Sequence, residues 1–202
     1  MTPYNNLVHY IWVGENPIPE HFLLNYQNTI LQNPTYNFML WRDKDIIAND
    51  SEYAELYQSS KIFHKLQIAR YTIMHKFGGV YSDFDINWKI SFDQVYEMFD
   101  DTVNIIFPKR NSLHFYNRGM KTTLIDDFTM FAKPGILKQY LLYCNERKEV
   151  RDTETEPFSV YALTEWLLTQ PNVDFLTHHQ IDTVEDSLVA VHTNKKTWRN
   201  AS

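Results

Sequence analysis

The chain of 202 residues has one cysteine, no long apolar run and no excess of basic charge. A single cysteine, Cys144, excludes a disulfide within the chain and is typical of a reducing compartment. No apolar stretch reaches the roughly 20 residues that cross a bilayer, so we expect no membrane span. The net charge of -6 excludes an overall basic field that would recruit nucleic acid.

The first residues, MTPYNNLVHYIWVG, contain neither a basic leader nor a long apolar core. We therefore expect no signal peptide there and a cytoplasmic location. Hydrophobic residues make up 44% of the chain and aromatic residues 15%, which is enough for a sizeable core and too much for a disordered chain. We expect a single domain over residues 1–202, without an internal linker or repeat.

Strand-like and helix-like segments alternate along the chain. The predicted strands are LVHYIWV, YNFMLW, VYSDFDINW, VNIIFP, TLIDDFTMFAK and LVAVHTN. The predicted helices are FLLNYQNTILQ, SEYAELYQ, FHKLQIARYTIMHKF, ILKQYLLYCNERKEV and SVYALTEWLLTQ. This alternation predicts an α/β domain whose sheet is largely parallel and flanked by helices.

The stretch GGVYSDFDINW, residues 78–88, places two carboxylates, Asp83 and Asp85, shortly after a double glycine. Read as one strand, it puts both carboxylates on one face, about 6.5 to 7 Å apart along the chain, and Phe84 on the other. Two negative charges near the end of a buried strand are costly unless a cation joins them. Ligands of open α/β sheets collect beyond the carboxyl ends of strands, so the pattern suggests a divalent metal that holds phosphate oxygens.

A bare Asp-x-Asp is more often a solvated strand end, and two other motifs begin in a similar way. An EF-hand loop needs glycine where Trp88 stands and glutamate where Gln94 stands. A haloacid-dehalogenase-type phosphatase needs Thr or Val where Asn87 stands, and its motif normally lies on the first strand. Both motifs fit poorly.

The helix before the double glycine adds a cation to the pattern. On a helical wheel of FHKLQIARYTIMHKF, Arg70 falls inside a broad apolar arc. A guanidinium among core residues needs an anion, although a side chain that snorkels at the rim is an alternative. Because the same helix leads to Asp83, we expect Arg70 to pair with Asp83 or with a phosphate or sugar hydroxyl of a ligand.

The stretch ARYTIMHKFGGVYSDFD resembles the signature of the glycosyltransferases with a DXD sugar-binding region. That family includes fungal initiating α-1,6-mannosyltransferases, bacterial capsular polysaccharide enzymes and, more distantly, the large clostridial glucosylating toxins. Its other blocks resemble, in the same order, three further stretches of this chain: LVHYIWVG, NPTYNFMLWRD and AVHTNKKTW.

The resemblance implies a GT-A (Rossmann-like) fold and the transfer of a hexose-type sugar, with retention, from a UDP- or GDP-sugar to a glycan or other hydroxyl acceptor. It implies Mn²⁺ or Mg²⁺ as cofactor, since a cation stabilises the charge that grows on the leaving diphosphate. The implied catalytic residues are Asp85 as a direct metal ligand, Asp83 as a ligand or as the group that holds the ribose or a metal-bound water, and Arg70, which orients the sugar and Asp83.

The substrate-binding residues that the resemblance implies are Trp12, Gln67, Arg70, Tyr81, Asp83, Lys195, Lys196 and Trp198. Trp12 would stack on the base, and the two lysines would contact the diphosphate. His192, at the end of a predicted late strand, would be a further metal ligand. If it is not, water, the phosphates of the sugar nucleotide or Asn194 would complete the metal shell of Asp83 and Asp85.

The sequence departs from the family in two places, and two other classes of function stay open. Relatives usually carry Asp where Gln67 stands, and their closing Ser-Trp is Thr197-Trp198 here. The same fold could bind a sugar nucleotide or glycan without transferring it, although intact Asp83, Asp85 and Arg70 favour activity. A metal phosphohydrolase is the third class, and Asn87 argues against it.

Overall fold

A computed structural model describes residues 5–49, 53–60, 62–109, 126–146, 160–176, 181–182 and 187–193. These residues form two β-sheets, with helices packed against both faces of the larger one. The α/β class predicted from the sequence is confirmed. Within these ranges, no helix combines the length and the apolar character needed to cross a bilayer.

The described residues contain nine strands in two sheets. They are β1 (Leu7–Ile11), β2 (Asn37–Trp41), β3 (Gly79–Ser82), β4 (Ile86–Trp88), β5 (Ile105–Pro108), β6 (Thr129–Ala132), β7 (Val173–Leu176), β8 (Ile181–Asp182) and β9 (Ala190–His192). The larger sheet has the order β2-β1-β3-β6-β5-β7, and the smaller has the order β4-β9-β8. In the larger sheet only β6 runs antiparallel to its neighbours, β3 and β5, so the sheet is mostly parallel, as predicted.

The described residues contain seven helices. They are α1 (Glu20–Gln32), α2 (Asp43–Asn49), α3 (Ala54–Ser59), α4 (Ile62–Phe77), α5 (Phe92–Tyr96), α6 (Lys138–Glu146) and α7 (Val160–Leu167). The sequence predicted α1, α3, α4, α6 and α7 but not α2 or α5. Helix α5 begins with a capping box, in which Ser91 and Gln94 each bond the other's backbone N–H.

The larger sheet separates two hydrophobic cores. Successive side chains of a strand point to opposite faces, so Val80 of β3 joins one core and Tyr81 joins the other. Helix α4 packs on the Tyr81 side through Ala69 and Ile73, and α1 packs on the Val80 side through Phe22. Arg70, which belongs to α4, is therefore carried toward the same side of the sheet as Tyr81.

The double glycine is required by close packing at the junction of α4 and β3. Both glycines have positive φ, +62° at Gly78 and +91° at Gly79. The N–H of Gly78 donates to the carbonyl of Met74 at 2.9 Å and closes the helix. A Cβ at Gly79 would overlap the carbonyl oxygen of Leu7 in β1, so any larger residue there would push β3 away from its neighbour.

The prediction of one continuous strand over VYSDFDINW is wrong, because the chain turns between β3 and β4. Asp83 and Asp85 lie in this turn and not on one face of a strand. Phe84, the residue between the two aspartates in the sequence, has a buried side chain. Its ring centroid lies 4.8 Å from that of Tyr10 and 5.8 Å from that of Tyr26. Burial of this ring bends the chain, and the N–H of Ile86 reaches back to the carbonyl of Asp83 at 3.3 Å.

The small sheet brings the end of the described chain to this turn. Strand β9 pairs antiparallel with β4, and Ile86 lies opposite His192. The N–H of Thr193 donates to the carbonyl of Asp85 at 2.9 Å. The predicted late strand at LVAVHTN is thus confirmed as β9, and it ends beside the second carboxylate.

Candidate active site

The turn from Asp83 to Asp85 lies where several strands of the larger sheet end or begin. Strands β1 and β3 are parallel, so their carboxyl ends meet at one edge. Strand β6 is antiparallel to β3, so its beginning meets the end of β3, with Ser82 opposite Thr129. The N–H of Asp83 also donates to the carbonyl of Phe128 at 2.8 Å. Residues from three separate segments therefore surround the turn.

Arg70 is buried beside the first carboxylate, as the helical wheel predicted. Its side chain is only 3% exposed, and its Nη2 lies 3.1 Å from Asp83 Oδ1 and 3.1 Å from the Tyr81 hydroxyl. The guanidinium also lies over the Tyr81 ring, 4.6 Å from its centroid. The Tyr81 hydroxyl donates to Asp83 as well. These contacts exclude the alternative in which Arg70 snorkels to solvent.

Asp127 is a second anion for Arg70, and sequence reasoning missed it. Its Oδ2 lies 2.5 Å from Nη1 of Arg70 and accepts a hydrogen bond from the Tyr71 hydroxyl at 2.6 Å. Asp127 and its neighbour Asp126 are both buried just before β6. The only signal in the sequence was a pair of acids inside the apolar stretch TLIDDFTMFAK, and only the antiparallel pairing of β6 with β3 places them at the site.

The second carboxylate contacts His192. The distance from Asp85 Oδ2 to His192 Nε2 is 3.2 Å, while the other oxygen of Asp85, Oδ1, is buried without a hydrogen-bond partner. The His192 ring stacks on Phe128 at a centroid distance of 4.3 Å. Burial alone would lower the pKa of His192, but the hydrogen bond and the charge of Asp85 outweigh it, so the pKa is raised.

Burial also changes the acidity of Asp83. Burial is the largest cause and raises the pKa of Asp83 to about 7; Arg70 opposes this rise, and the nearby charge of Asp85 adds to it. Asp83 and Asp127 contact the guanidinium of Arg70, and the charges of Asp85 and Asp126 act on His192, so the carboxyl groups at the site outnumber the basic groups by four to two. An excess of this kind favours an additional cation.

Asp85 and His192 offer a partial fit to a divalent metal. Carboxylate oxygen and imidazole nitrogen are suitable ligands for ions such as Mn²⁺, and the buried Oδ1 of Asp85 has a lone pair to offer. In the part of the chain that the structure describes, no group of three or more His, Cys, Asp or Glu side chains is arranged to hold a metal. A coordination shell that included these two side chains would take its remaining ligands from water or from the oxygens of a bound ligand.

Trp12 lies just after β1, beside the same turn. Its ring meets the Phe84 ring edge to face at 5.7 Å and the Phe22 ring at 6.1 Å. Its indole Nε1 donates to the carbonyl of Asn16 at 2.7 Å. The ring is only partly buried, so some of its surface is available to a ligand.

Gln67 lies one helical turn before Arg70 and is 2% exposed. Its Oε1 is buried without a hydrogen-bond partner, and so is the Nε of Arg70. Gln67 Oε1 is an acceptor and Arg70 Nε–H is a donor. The two residues are three apart on one helix, so their side chains are neighbours. Unsatisfied buried polar atoms are uncommon, and a water molecule or a polar group of a ligand would satisfy both of these atoms.

The structure brings together Arg70, Tyr81, Asp83, Asp85 and His192 around the turn, with Trp12 beside it and Gln67 one helical turn before Arg70 on α4. The other residues expected at the site, Asn194, Lys195, Lys196 and Trp198, lie outside the described residues, as does Thr197.

Comparison with known proteins identifies the region that contains this turn. Residues 19–101 match the family described as the glycosyltransferase sugar-binding region containing DXD motif. Over these residues, the chain is similar to the sugar-binding region of the DXD-motif glycosyltransferases. The resemblance inferred from the sequence is confirmed, and the DXD motif of the region is Asp83-Phe84-Asp85.

Two curated relatives are similar to longer or shorter parts of this chain. Inositol phosphoceramide mannosyltransferase 1 of Schizosaccharomyces pombe is 27% identical over 179 residues, which are 84% of this chain and 54% of that protein. An uncharacterized glycosyltransferase of Acanthamoeba polyphaga mimivirus is 35% identical over 89 residues, or 40% of this chain and 35% of that protein. The chain spans about half the length of the first relative and about a third of the second.

A solved structure shows the fold around the DXD region. The PaToxG glycosyltransferase superposes with a TM-score of 0.55 at 14% identity, over 82% of this chain and 70% of that one. At this identity the likeness concerns the fold alone, and it confirms the predicted GT-A architecture.

Proposed function

We propose that this protein uses a divalent cation to transfer a hexose-type sugar from a nucleoside-diphosphate sugar to a hydroxyl of a glycan or other acceptor. The observation that carries the proposal is the pair of DXD carboxylates, of which Asp83 contacts the buried Arg70 and Asp85 contacts His192. The position of this pair, beyond the carboxyl ends of β1 and β3, is where nucleotides bind in sheets of this class.

Asp85 and His192 are the proposed protein ligands of Mn²⁺ or Mg²⁺. Asp83 would be a third ligand, or would hold the ribose or a metal-bound water. A bound cation would stabilise the negative charge that develops on the leaving diphosphate. Support comes from the unpartnered Asp85 Oδ1 and from the excess of carboxyl groups over basic groups at the site.

Trp12 is the proposed wall of the base pocket, and the base is uracil or guanine. Its partly buried ring beside Phe84 supports this role, because aromatic side chains stack on bases without needing a specific hydrogen bond. Lys195 and Lys196 are proposed diphosphate contacts, and Trp198 a further donor contact.

Gln67 and Arg70 are the proposed contacts of the transferred sugar. A hydroxyl group both donates and accepts, so one sugar hydroxyl could bond Gln67 Oε1 and the Nε–H of Arg70 together. Tyr81 would act by holding Arg70 and Asp83 in place. Because one curated relative is named a mannosyltransferase, mannose is a first candidate for the sugar.

Three predictions of the sequence analysis remain predictions: transfer with retention of the anomeric configuration, a single domain over residues 1–202, and a cytoplasmic location. Retention is checked by determining the anomeric configuration of the product by NMR.

The test measures the melting temperature of the protein in the presence of different UDP- and GDP-sugars, including GDP-mannose. Each sugar nucleotide is measured with and without Mn²⁺. A donor that binds the native state raises the melting temperature by mass action, and we expect the rise to require the metal. Positive donors are then assayed for transfer and for hydrolysis of the sugar. Donor binding without either reaction would instead indicate a binding domain, and release of inorganic phosphate from simple phosphoesters would indicate a phosphohydrolase.

A further inference from the structure

The loop that follows β1, residues 12–16, is held by hydrogen bonds at three points. The N–H of Trp12 donates to the carbonyl of Trp41 at 3.0 Å, and its indole Nε1 donates to the carbonyl of Asn16 at 2.7 Å. Between them, the N–H of Gly14 donates to Asp43 Oδ2 at 2.7 Å. Of these three bonds, only the one donated by Gly14 is accepted by a side chain, that of Asp43 in another segment.

The carboxylate of Asp43 joins this loop to helix α3. Its other oxygen, Oδ1, accepts a hydrogen bond from the Tyr57 hydroxyl at 2.9 Å, and Tyr57 is 1% exposed. The aromatic ring of Tyr57 is anchored in the core that includes Trp41 and Ile68. Tyr57 therefore fixes Asp43 from the protein interior, and Asp43 fixes Gly14 at the surface.

The position of Asp43 follows from the sheet. Strands β1 and β2 are parallel, and Asp43 comes two residues after the end of β2, so it meets the loop that leaves β1. Gly14 has a φ of +91°, a conformation that is open to glycine and costly for other residues. A glycine in this conformation can adopt others equally well, so a fixed acceptor is needed to hold the loop in one of them.

We propose that Asp43 is a positioning residue for nucleotide binding, which holds the loop of residues 12–16 so that Trp12 is already placed for the base. The proposal rests on the proposed function, in which Trp12 stacks on the base. A loop that is ordered before binding does not lose its conformational freedom on binding, so affinity is higher than for a loop that must become ordered.

The chain contains a matched control for the Tyr57–Asp43 pair. The Tyr36 hydroxyl donates to Asp93 Oδ1 at 2.7 Å, and Tyr36 is 7% exposed. Asp93 belongs to α5, and its pair with Tyr36 makes no contact with the loop of residues 12–16 among the hydrogen bonds of the described residues. The substitutions Tyr57→Phe and Tyr36→Phe thus remove the same kind of hydrogen bond, and only the first releases Asp43.

The experiment measures the dissociation constant of UDP and GDP by calorimetry, together with the donor KM, kcat and melting temperature. We expect Tyr57→Phe and Asp43→Asn to weaken nucleotide binding and raise KM about fivefold, the factor that corresponds to loss of one typical hydrogen bond. Their kcat should stay within about twofold of the wild-type value, since a bound nucleotide is held as before. Tyr36→Phe should lower the melting temperature by a similar amount and leave the dissociation constant unchanged.

Any other result would overturn either the positioning role of Asp43 or the proposed function. Unchanged affinity in both Tyr57→Phe and Asp43→Asn would overturn the positioning role while leaving the proposed function intact. Weaker binding in Asp43→Asn alone would also overturn it, because Asp43 would then contact the nucleotide directly. If Asp43→Asn does not fold, Tyr57→Phe decides. If the wild-type protein binds no nucleoside diphosphate, the proposed function fails first, and the positioning role fails with it.

Discussion

Asp127 holds the guanidinium of Arg70 at 2.5 Å, through a different nitrogen from the one that contacts Asp83. A buried guanidinium is thus shared between an acid of the DXD motif and an acid just before β6. The Tyr71 hydroxyl donates to the same oxygen of Asp127, so the orientation of Arg70 is set from the core side as well.

We expect Asp127→Asn to separate sugar binding from nucleotide binding. The substitution keeps the shape but removes the charge, so Arg70 loses one of its two anions and shifts. Affinity for the sugar nucleotide should fall while affinity for the nucleoside diphosphate alone stays near the wild-type value, as calorimetry would measure. Breaking a buried pair typically costs about 3 to 5 kcal/mol, so the melting temperature should fall too.

A matched control for this variant is Asp101→Asn, at an exposed position. It should change neither affinity. Equal losses for the sugar nucleotide and the nucleoside diphosphate in Asp127→Asn would mean that Asp127 supports the fold as a whole and not the orientation of Arg70.

Asp85→Asn should remove a charged metal ligand and preserve the shape of the turn. Loss of even an outer-shell partner typically lowers metal affinity about 10- to 100-fold, so a direct ligand should cost at least that much. Titration with Mn²⁺, followed by donor turnover, measures the effect. Full turnover by this variant, or by the wild-type protein in the presence of a chelator, would refute metal dependence.

Trp12→Ala should weaken nucleoside diphosphate binding about tenfold or more, because stacking of a base on an aromatic ring is worth about 1 to 3 kcal/mol. The tryptophan fluorescence response to nucleotide should disappear with the ring. Trp12→Phe keeps an aromatic surface and should bind with intermediate affinity. Binding by Trp12→Ala as tight as that of the wild type would exclude the stacking role.

His192→Gln should raise the Mn²⁺ concentration needed for half-maximal activity about tenfold or more at a fixed pH, since it removes the imidazole. Glutamine is preferred to alanine because it retains a donor for Asp85 and fills part of the space against Phe128. The melting temperature of the metal-free protein should change little. A metal response identical to that of exposed His21→Gln would show that His192 is not a ligand.

His9 should make the free energy of unfolding depend on pH. Burial lowers the pKa of His9 from 6.5 to about 4, only partly offset by its bond to the Gly78 carbonyl at 2.9 Å. Trp41 Nε1 donates to His9 Nδ1 at 3.0 Å, so the folded state needs the neutral ring. Above pH 6.5 the residue is neutral in both states, and between 6.5 and about 4 only the unfolded state takes up the proton.

The free energy of unfolding should therefore fall as the pH drops through this window, by roughly 3 kcal/mol from His9 in total, and should fall no further from this residue below it. Urea denaturation at several pH values measures the slope. His9→Gln should flatten the curve by this amount, whereas His21→Gln should leave it as in the wild type. A slope that persists unchanged in His9→Gln would assign the dependence to other groups.

The sequence by itself determined most of the longer local elements and the residue types of the site, but not α2, α5, β7 or β8. The extent of α4 follows from an apolar arc without glycine or proline, and its end follows from Gly78-Gly79. The apolar surroundings of Arg70 follow from its position on the helical wheel. These features depend on neighbours within one or two helical turns, so spacing alone can predict them.

Only the tertiary structure decided how the site is assembled. The break between β3 and β4 arises because Phe84 packs against Tyr10 and Tyr26, which belong to β1 and α1, and no pattern within VYSDFDINW records those partners. Asp127 reaches Arg70 only because β6 reverses direction beside β3. Strand pairing joins segments that are far apart in the chain, and the register of the pairing depends on which side chains pack in the two cores. Local periodicity therefore cannot predict which strands pair or in which register.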